Sequence, residues 1–363
     1  MRAPVRWAGD GGGHSFGVLD GGPDQQHRAL LGTDASGSQR NSPALAAHIG
    51  TWPAPAPRRL PGMTELTARP TRAPLLQASQ AAPPAPTQAP VGQEFSFSAA
   101  DYEQVRTLIY QRAGISLNAG KQAMVYSRLS RRLRETGHAD FGGYLLWLQQ
   151  GGGGAAEAEA EWQEFVNCLT TNLTAFFRED HHFTELADDL RERAGRSLRI
   201  WCSAASTGEE PYSIAMMVAE TLGPQATVRI VASDIDTQVL ATAQRGVYDA
   251  DARGLSAERQ RRHFMRGTGS NAGHVRVRPE LARWIEFRPF NLMSASGPLG
   301  QPFDIIFCRN VMIYFDAATQ RKVLQRMHGA LRPDGLLYVG HSENFNDARD
   351  LFQLRGKTIY HRA

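Results

Sequence analysis

The chain has 363 residues, a formal net charge of +4, 42% hydrophobic residues and three cysteines. That length allows two or three domains, and the mild positive balance permits an acidic partner without demanding a nucleic acid. No run approaches the ~18 apolar residues of a membrane span. Cys168, Cys202 and Cys308 fit neither a disulfide framework nor a metal-ligand spacing, so reduced thiols in the cytoplasm are expected.

Residues 1–92 hold 13 of the 20 prolines and 12 of the 35 glycines, with few aliphatic residues in periodic arrangement. Such a segment cannot bury enough apolar surface to offset its chain entropy and is expected to be disordered. It lacks the charged start, apolar core and cleavage site of a secretory signal. A chain beginning at Met63 would keep everything that follows.

From Phe95 to about Gln150 the pattern turns helical. Tyr102, Val105, Ile109 and Tyr110 fall at helix spacings, and Ser98 stands where a cap belongs. A second helix is predicted from about Ala119 to Thr136, with Met124, Val125, Leu129 and Leu133 as its apolar face. Arg128, Arg131 and Arg132 follow the i, i+3, i+4 spacing and share a face. By itself such a block is usually a solvated surface. Gly151 to Gly154 then mark a linker that grades into a helix carrying Trp162, Phe165 and Leu169. Residues 93–160 are therefore expected to form a helical domain with its linker, and 161–363 the remaining domain.

In TTNLTAFFRE, Thr170 to Glu179, the pair Phe176 and Phe177 reads as packing, with Asn172, Thr174 and Arg178 as the polar remainder. His181 and His182 are adjacent and do not jointly ligate a metal without others nearby, so no metal is expected. Leu198, Ile200 and Trp201 form a buried parallel strand, Cys202 to Gly208 a turn of small residues, and Glu209, Glu210 and Pro211 open a helix. Strand, turn and helix N-terminus make the nucleotide-type cradle of a Rossmann-like sheet. Two acids stand where a phosphate would sit. The cradle therefore suits a ligand with ribose hydroxyls and cationic groups and no phosphate, as in S-adenosylmethionine.

Val228 to Ala232 is the next strand, and Asp234 at its end occupies the position that holds ribose hydroxyls in such sheets. Asp236 is expected to cap the helix Gln238 to Arg245. His263 to Arg266 and His274 to Arg278 flank GTGSNAG and predict a hairpin. Trp284 to Phe290 and Phe303 to Phe307 are further strands, and Cys308, Arg309 and Asn310 stand at the carboxyl end of the second, where open α/β sheets bind ligands. Tyr314 follows within one helical turn. Leu336 to Val339 and Thr358 to His361 complete the sheet, the last strand antiparallel.

Five segments in this order, TTNLTAFFRE, ASTGEEPYSIA, ASDID, FCRNVMIYFD and DGLLYVGHSENF, resemble the CheR-type chemoreceptor glutamate methyltransferases, from about Phe95 to the C-terminus. The resemblance implies an α/β fold: a Rossmann-like S-adenosylmethionine-dependent methyltransferase sheet, a small N-terminal helical domain, and an antiparallel β-subdomain inserted at about 246–282. It implies methyl transfer to glutamate carboxylates of methyl-accepting chemotaxis receptors. Asn172, Thr174, Arg178, Glu209, Asp234, Asn291, Leu292, Cys308 and Arg309 are the implied cofactor contacts, with Asn291 and Leu292 flanking the adenine. Arg178 and Tyr314 are the candidates for holding the acceptor carboxylate. Arg128, Arg131 and Arg132 would recruit an acidic receptor surface, and the hairpin would accept an aromatic and acidic receptor tail by strand addition. The alternatives are the same fold acting on another acid, or a cofactor sensor without chemistry. The intact NLTAFFR and CRNVMIY segments argue against the sensor.

Overall fold

A computed structural model describes Trp7, Ala8, residues 94–294, Gly300 and residues 302–363. Of the tail expected to be disordered, all but Trp7 and Ala8 lies outside the described residues, and those two form a short strand, β1 (Trp7–Ala8).

The helical region begins with α1 (Ala99–Ala113), where the Ser98 hydroxyl and the Asp101 carboxylate cap one another's backbone N–H and Gly114 closes the helix in the left-handed conformation. A short 3-10 turn, Ala119–Lys121, precedes α2 (Gln122–Thr136), so the second helix starts three residues later than expected. α3 (Phe141–Gln150) and α4 (Ala155–Leu169) follow. Val105, Ile109, Leu129, Leu133, Phe141, Tyr144 and Phe165 close one core among these four helices. α4 thus crosses the boundary drawn at residue 160, because Phe165, Val166 and Leu169 have their apolar contacts in the helical core. Tyr110, expected on the apolar face, is 40% exposed and instead donates its hydroxyl to Asp316 Oδ2 at 2.8 Å.

The remainder builds two sheets from α5 (His181–Glu192), β2 (Leu198–Cys202), α6 (Glu209–Leu222), β3 (Val228–Asp234), α7 (Thr237–Arg245), β4 (Val247–Asp249), α8 (Ala257–His263), β5 (Phe264–Gly267), β6 (His274–Val277), α9 (Pro279–Ala282), β7 (Ile285–Pro289), β8 (Phe303–Cys308), α10 (Ala317–Ala330), β9 (Leu331–Val339), β10 (Phe352–Gly356) and β11 (Ile359–Arg362). The large sheet runs β10-β11-β9-β8-β2-β3-β7. Its five strands from β9 to β7 are parallel, while β11 pairs antiparallel to β9, as expected, and β10 antiparallel to β11.

Period-two alternation explains why these strands read as continuous apolar runs. Ile200, Ala232, Ile305 and Phe307 pack on one face, and Trp201, Val231, Ile306 and Cys308 on the other. β2 sits between β3 and β8, where the strand order reverses, and a crevice opens there beyond the carboxyl ends. The small sheet, β1-β5-β6-β4, is antiparallel throughout. His263, expected to start the hairpin, is the last residue of α8 and bonds Glu220 through Nε2 at 3.0 Å. Gly267 opens the hairpin turn because a Cβ there would lie 2.0 Å from the Asn271 carbonyl oxygen.

Candidate active site

Three backbone segments arrive at the crevice in conformations that most residues avoid. Phe177 (φ 51°) and Glu179 (φ 57°) flank Arg178, Ser206 (φ 48°) and Gly208 (φ 100°) shape the loop after β2, and Asn310 (φ 58°) follows β8. Left-handed non-glycine residues cost about 1–3 kcal/mol each and persist only where surrounding contacts over-determine them. Those contacts are on hand. The Ser206 N–H donates to Asp234 Oδ2 at 2.8 Å, and the Asn310 N–H to Glu343 Oε2 at 2.9 Å. The Glu179 carboxylate accepts from Asn310 Nδ2 at 3.1 Å and from the His341 N–H at 3.1 Å.

The segments enclose a cavity of about 470 Å³. Of the residues proposed from sequence, Asn172, Thr174, Arg178, Asp234, Asn291, Leu292, Arg309 and Tyr314 line it. Asp234 is buried, with Oδ1 accepting from the Asp236 N–H at 3.0 Å. Burial raises its pKa, and the backbone donors oppose the rise. The Asn172 side-chain amide is held by Asp236 at 2.8 Å, and Arg178 donates to the Leu173 carbonyl at 2.9 Å.

Two expected contacts fall outside the lining. Glu209 turns its carboxylate to the Thr207 hydroxyl at 2.6 Å, and its neighbour Glu210 faces the cavity instead. The helix begins at Glu209, so consecutive side chains diverge by ~100° around its axis. Cys308 is fully buried on the sheet face opposite Phe307, within the apolar cluster of Trp201 and Ile306, and burial drives its thiol pKa up. It packs as a small hydrophobe.

Arg309, expected as a cofactor contact, sits in a set of carboxylates that the sequence did not reveal. Its guanidinium is wholly buried, 2.7 Å from Glu210 Oε2 and 3.3 Å from Glu179 Oε2, and it also donates to the Arg178 carbonyl. A buried cation needs paired anions and further hydrogen bonds, and this set supplies both while fixing the backbone beside Arg178. Burial raises the Glu179 pKa, yet the donors His341, Asn310 and Arg309 outweigh it and bring the value down to about 2. Glu343 is the second missed anchor: its buried carboxylate accepts from the backbone N–H of Gly340, Asn310 and Met312 at 2.6, 2.9 and 2.8 Å. Only its place in GHSENF hinted at a role.

Glu179 also lies with His181 and His182, their ligand atoms within 4.8 Å of one another, so the two histidines do have a third group nearby. Arg309, 3.3 Å from the same carboxylate, opposes a cation there.

The helical domain supplies the roof, which the sequence did not suggest. Ile115, Ser116, Leu117, Lys121 and Met124 line the cavity. The Ser116 N–H donates to the Tyr314 carbonyl at 2.8 Å, and Asn291 Nδ2 to the Arg112 carbonyl at 2.7 Å. The arginine face of α2 behaves differently from expectation. Arg128 donates to the Cys168 carbonyl at 3.3 Å and to that of Thr170, and Arg132, 14% exposed in its side chain, forks onto Glu161. Arg131 alone of the three projects into solvent, paired with Glu135 at 2.7 Å. α2 packs against α4, and that contact consumes two of the three cations.

A cavity at the strand ends of this sheet, with an acid after the second strand and small residues after the first, defines an S-adenosylmethionine-dependent methyltransferase fold. The match to known families is specific. Residues 172–361 match the model described as "CheR methyltransferase, SAM binding domain", and residues 100–170 the model "CheR methyltransferase, all-alpha domain". The chain is 52% identical over 270 residues to the chemotaxis protein methyltransferase of Escherichia coli, covering 74% of this chain and 92% of that protein. It is 50% identical over 283 residues to chemotaxis protein methyltransferase 2 of Pseudomonas aeruginosa, covering 76% and 99%. The chain belongs to the CheR methyltransferase family, and its cofactor is S-adenosylmethionine. The donor set fits that cofactor: carboxylates and small residues, with apolar Phe290 and Leu292 beside them. Among the described residues no helix is long and apolar enough to cross a membrane.

Proposed function

We propose that the chain methylates glutamate side chains of methyl-accepting chemotaxis receptors in the cytoplasm, giving glutamyl methyl esters. Asp234 would hold the ribose hydroxyls, Asn172, Thr174 and Glu210 the polar end of the cofactor, and Asn291 and Leu292 its adenine. S-adenosylmethionine, when bound, supplies a methyl group on a cationic sulfur, which departs as the neutral thioether S-adenosylhomocysteine once a glutamate oxygen has taken the methyl.

The acceptor is a carboxylate already ionised near neutral pH, so the chain has no proton to remove. Its work is alignment and partial exclusion of water. Arg178 presents a guanidinium fork, the geometry that suits a carboxylate, and Tyr314 lines the same cavity from the segment after β8. This convergence of Arg178 and Tyr314 on the cavity that Asp234 lines is the observation that carries the reading. Two exposed apolar side chains, Leu173 and Ile313, 75% and 54% exposed, border it and offer a surface to a helical substrate. Of Arg128, Arg131 and Arg132, Arg131 remains the recruiter of an acidic receptor face. An aromatic and acidic receptor tail would add as a strand to the β-subdomain.

The deciding experiment incubates the purified chain with methyl-labelled cofactor and chemoreceptor-containing membranes. Base-labile methyl release from the receptor is expected, with loss of label when the methylated glutamates are changed to alanine. Cofactor binding without any base-labile label would exclude carboxylate methylation.

A further inference from the structure

β4, β5 and β6 come from one stretch, residues 247–277, and pair antiparallel in the order β5-β6-β4, with β6 in the middle. By themselves these three strands leave β5 an unpaired outer edge, a template for any extended segment. In this chain that edge is taken. β1 lies antiparallel on it, with Trp7 opposite Gly267 and Ala8 opposite Arg266. In sequence the strand sits in VRWAGD, an aromatic residue followed three positions later by an acid.

The contact is two residues long and closes a long intervening segment. Loop closure of that length is costly and the tethered strand's effective concentration is modest, on the order of a millimolar or below. Such an occupant protects an edge but yields to a better strand.

We propose that the outer edge of β5 is a strand-acceptor surface whose occupant in the free chain is its own strand Trp7–Ala8, and that a receptor tail binds by displacing it. The displacement half rests on the receptor-tail reading above; the self-pairing half does not.

The test compares the full chain with the full chain carrying Trp7→Pro and Ala8→Pro together. Of two consecutive residues in an antiparallel pair, one directs both its N–H and C=O at the neighbour. Proline has no N–H, so the double substitution breaks the pairing whichever residue bonds. Hydrogen exchange across Arg266–Gly267, the β5 residues opposite β1, should quicken at least about fivefold in the proline variant, while exchange across β2 and β3 stays unchanged; equal exchange there overturns the self-pairing. A synthetic pentapeptide with tryptophan and acidic residues should bind the variant at least about threefold more tightly than the parent. Quickened exchange with equal peptide affinity overturns the displacement. Quickened exchange with no peptide binding to either chain sinks the receptor-tail reading and supports self-pairing alone. Peptide binding to both chains with equal exchange does the reverse.

Discussion

Asp234 illustrates how much one side chain is asked to do. Its two oxygens hold the amides of Ser206 and Asp236 at 2.8 and 3.0 Å, so it shapes the loop beside the cavity that it also lines. Asp234→Ala should weaken S-adenosylhomocysteine binding at least about tenfold, roughly 1.4 kcal/mol. It should also cost about 1–3 kcal/mol of stability, since two buried N–H groups lose their acceptor. Calorimetry of binding and a denaturant titration separate the two effects, and unchanged affinity in a folded variant would move the ribose contact elsewhere. Acid stability belongs to this scale as well. Burial first, then the Arg309 charge, lowers the His182 pKa from 6.5 to about 4, and Glu179 falls from 4.5 to about 2. Both folded values are depressed, so both groups contribute stability that is present above the unfolded values and lost on acidification. The loss from His182 begins near pH 6.5 and that from Glu179 near pH 4.5. Denaturation midpoints should therefore fall between pH 7 and pH 4, and His182→Asn should flatten the upper part of that decline. An equally steep decline in the variant would place the titration elsewhere.

At the scale of elements, two helices make opposite demands on their neighbours. α6 is preceded by Gly208, whose φ of 100° and whose crowding exclude a side chain: a Cβ would stand 2.6 Å from Tyr248 Oη and 2.9 Å from Ala243 Cβ. Gly208→Ala should cost about 1–3 kcal/mol, a fall in Tm of about 2–10 °C for a domain of this size, with weaker cofactor binding because the loop reseats. A variant of unchanged Tm would mean that the loop relaxes freely. α2 presents three arginines at helical spacing, and packing divides them. Arg132→Ala leaves Glu161 buried without its cation and should destabilise by about 3–5 kcal/mol. Arg131→Glu touches only an exposed pair and should leave the denaturation midpoint essentially unchanged. It should still slow receptor methylation, most at low ionic strength. If Arg131→Glu leaves the rate untouched, α2 is a structural face and not a recruiting one.

For the molecule as a whole, the cavity exists because the helical domain is seated on the sheet. The Ser116 and Tyr314 backbones, the Ile115 and Phe315 bridge, and the bond from Asn291 to the Arg112 carbonyl join them across the site. Asn291 also accepts from the Met293 N–H at 2.8 Å, so its amide serves both sides. Asn291→Ala should lose about 1–2 kcal/mol and lower cofactor affinity severalfold by loosening the roof. Thermal unfolding and calorimetry read both, and full affinity in the variant would show that the roof closes without this bond.

Local chemistry determined a large part of this protein. Ser98 and Asp236 cap their helices as read, because a cap needs only the few amides that follow it. The apolar runs of β2, β3 and β8 declared strands buried on both faces, and Asp234 marked the strand end that opens on the cavity. Tertiary structure decided what depends on residues distant in sequence. Only the fold brings Glu343 under the backbone of Asn310, Glu210 and Glu179 around Arg309, and Glu161 beneath Arg132, and each meeting turns a side chain of solvated type into a buried anchor. The same holds for Trp7 and Ala8: nothing within VRWAGD specifies a strand, and the exposed edge of β5 supplies the partner that makes one. A strand of two residues has no stability of its own, so its existence is a property of the surface it meets.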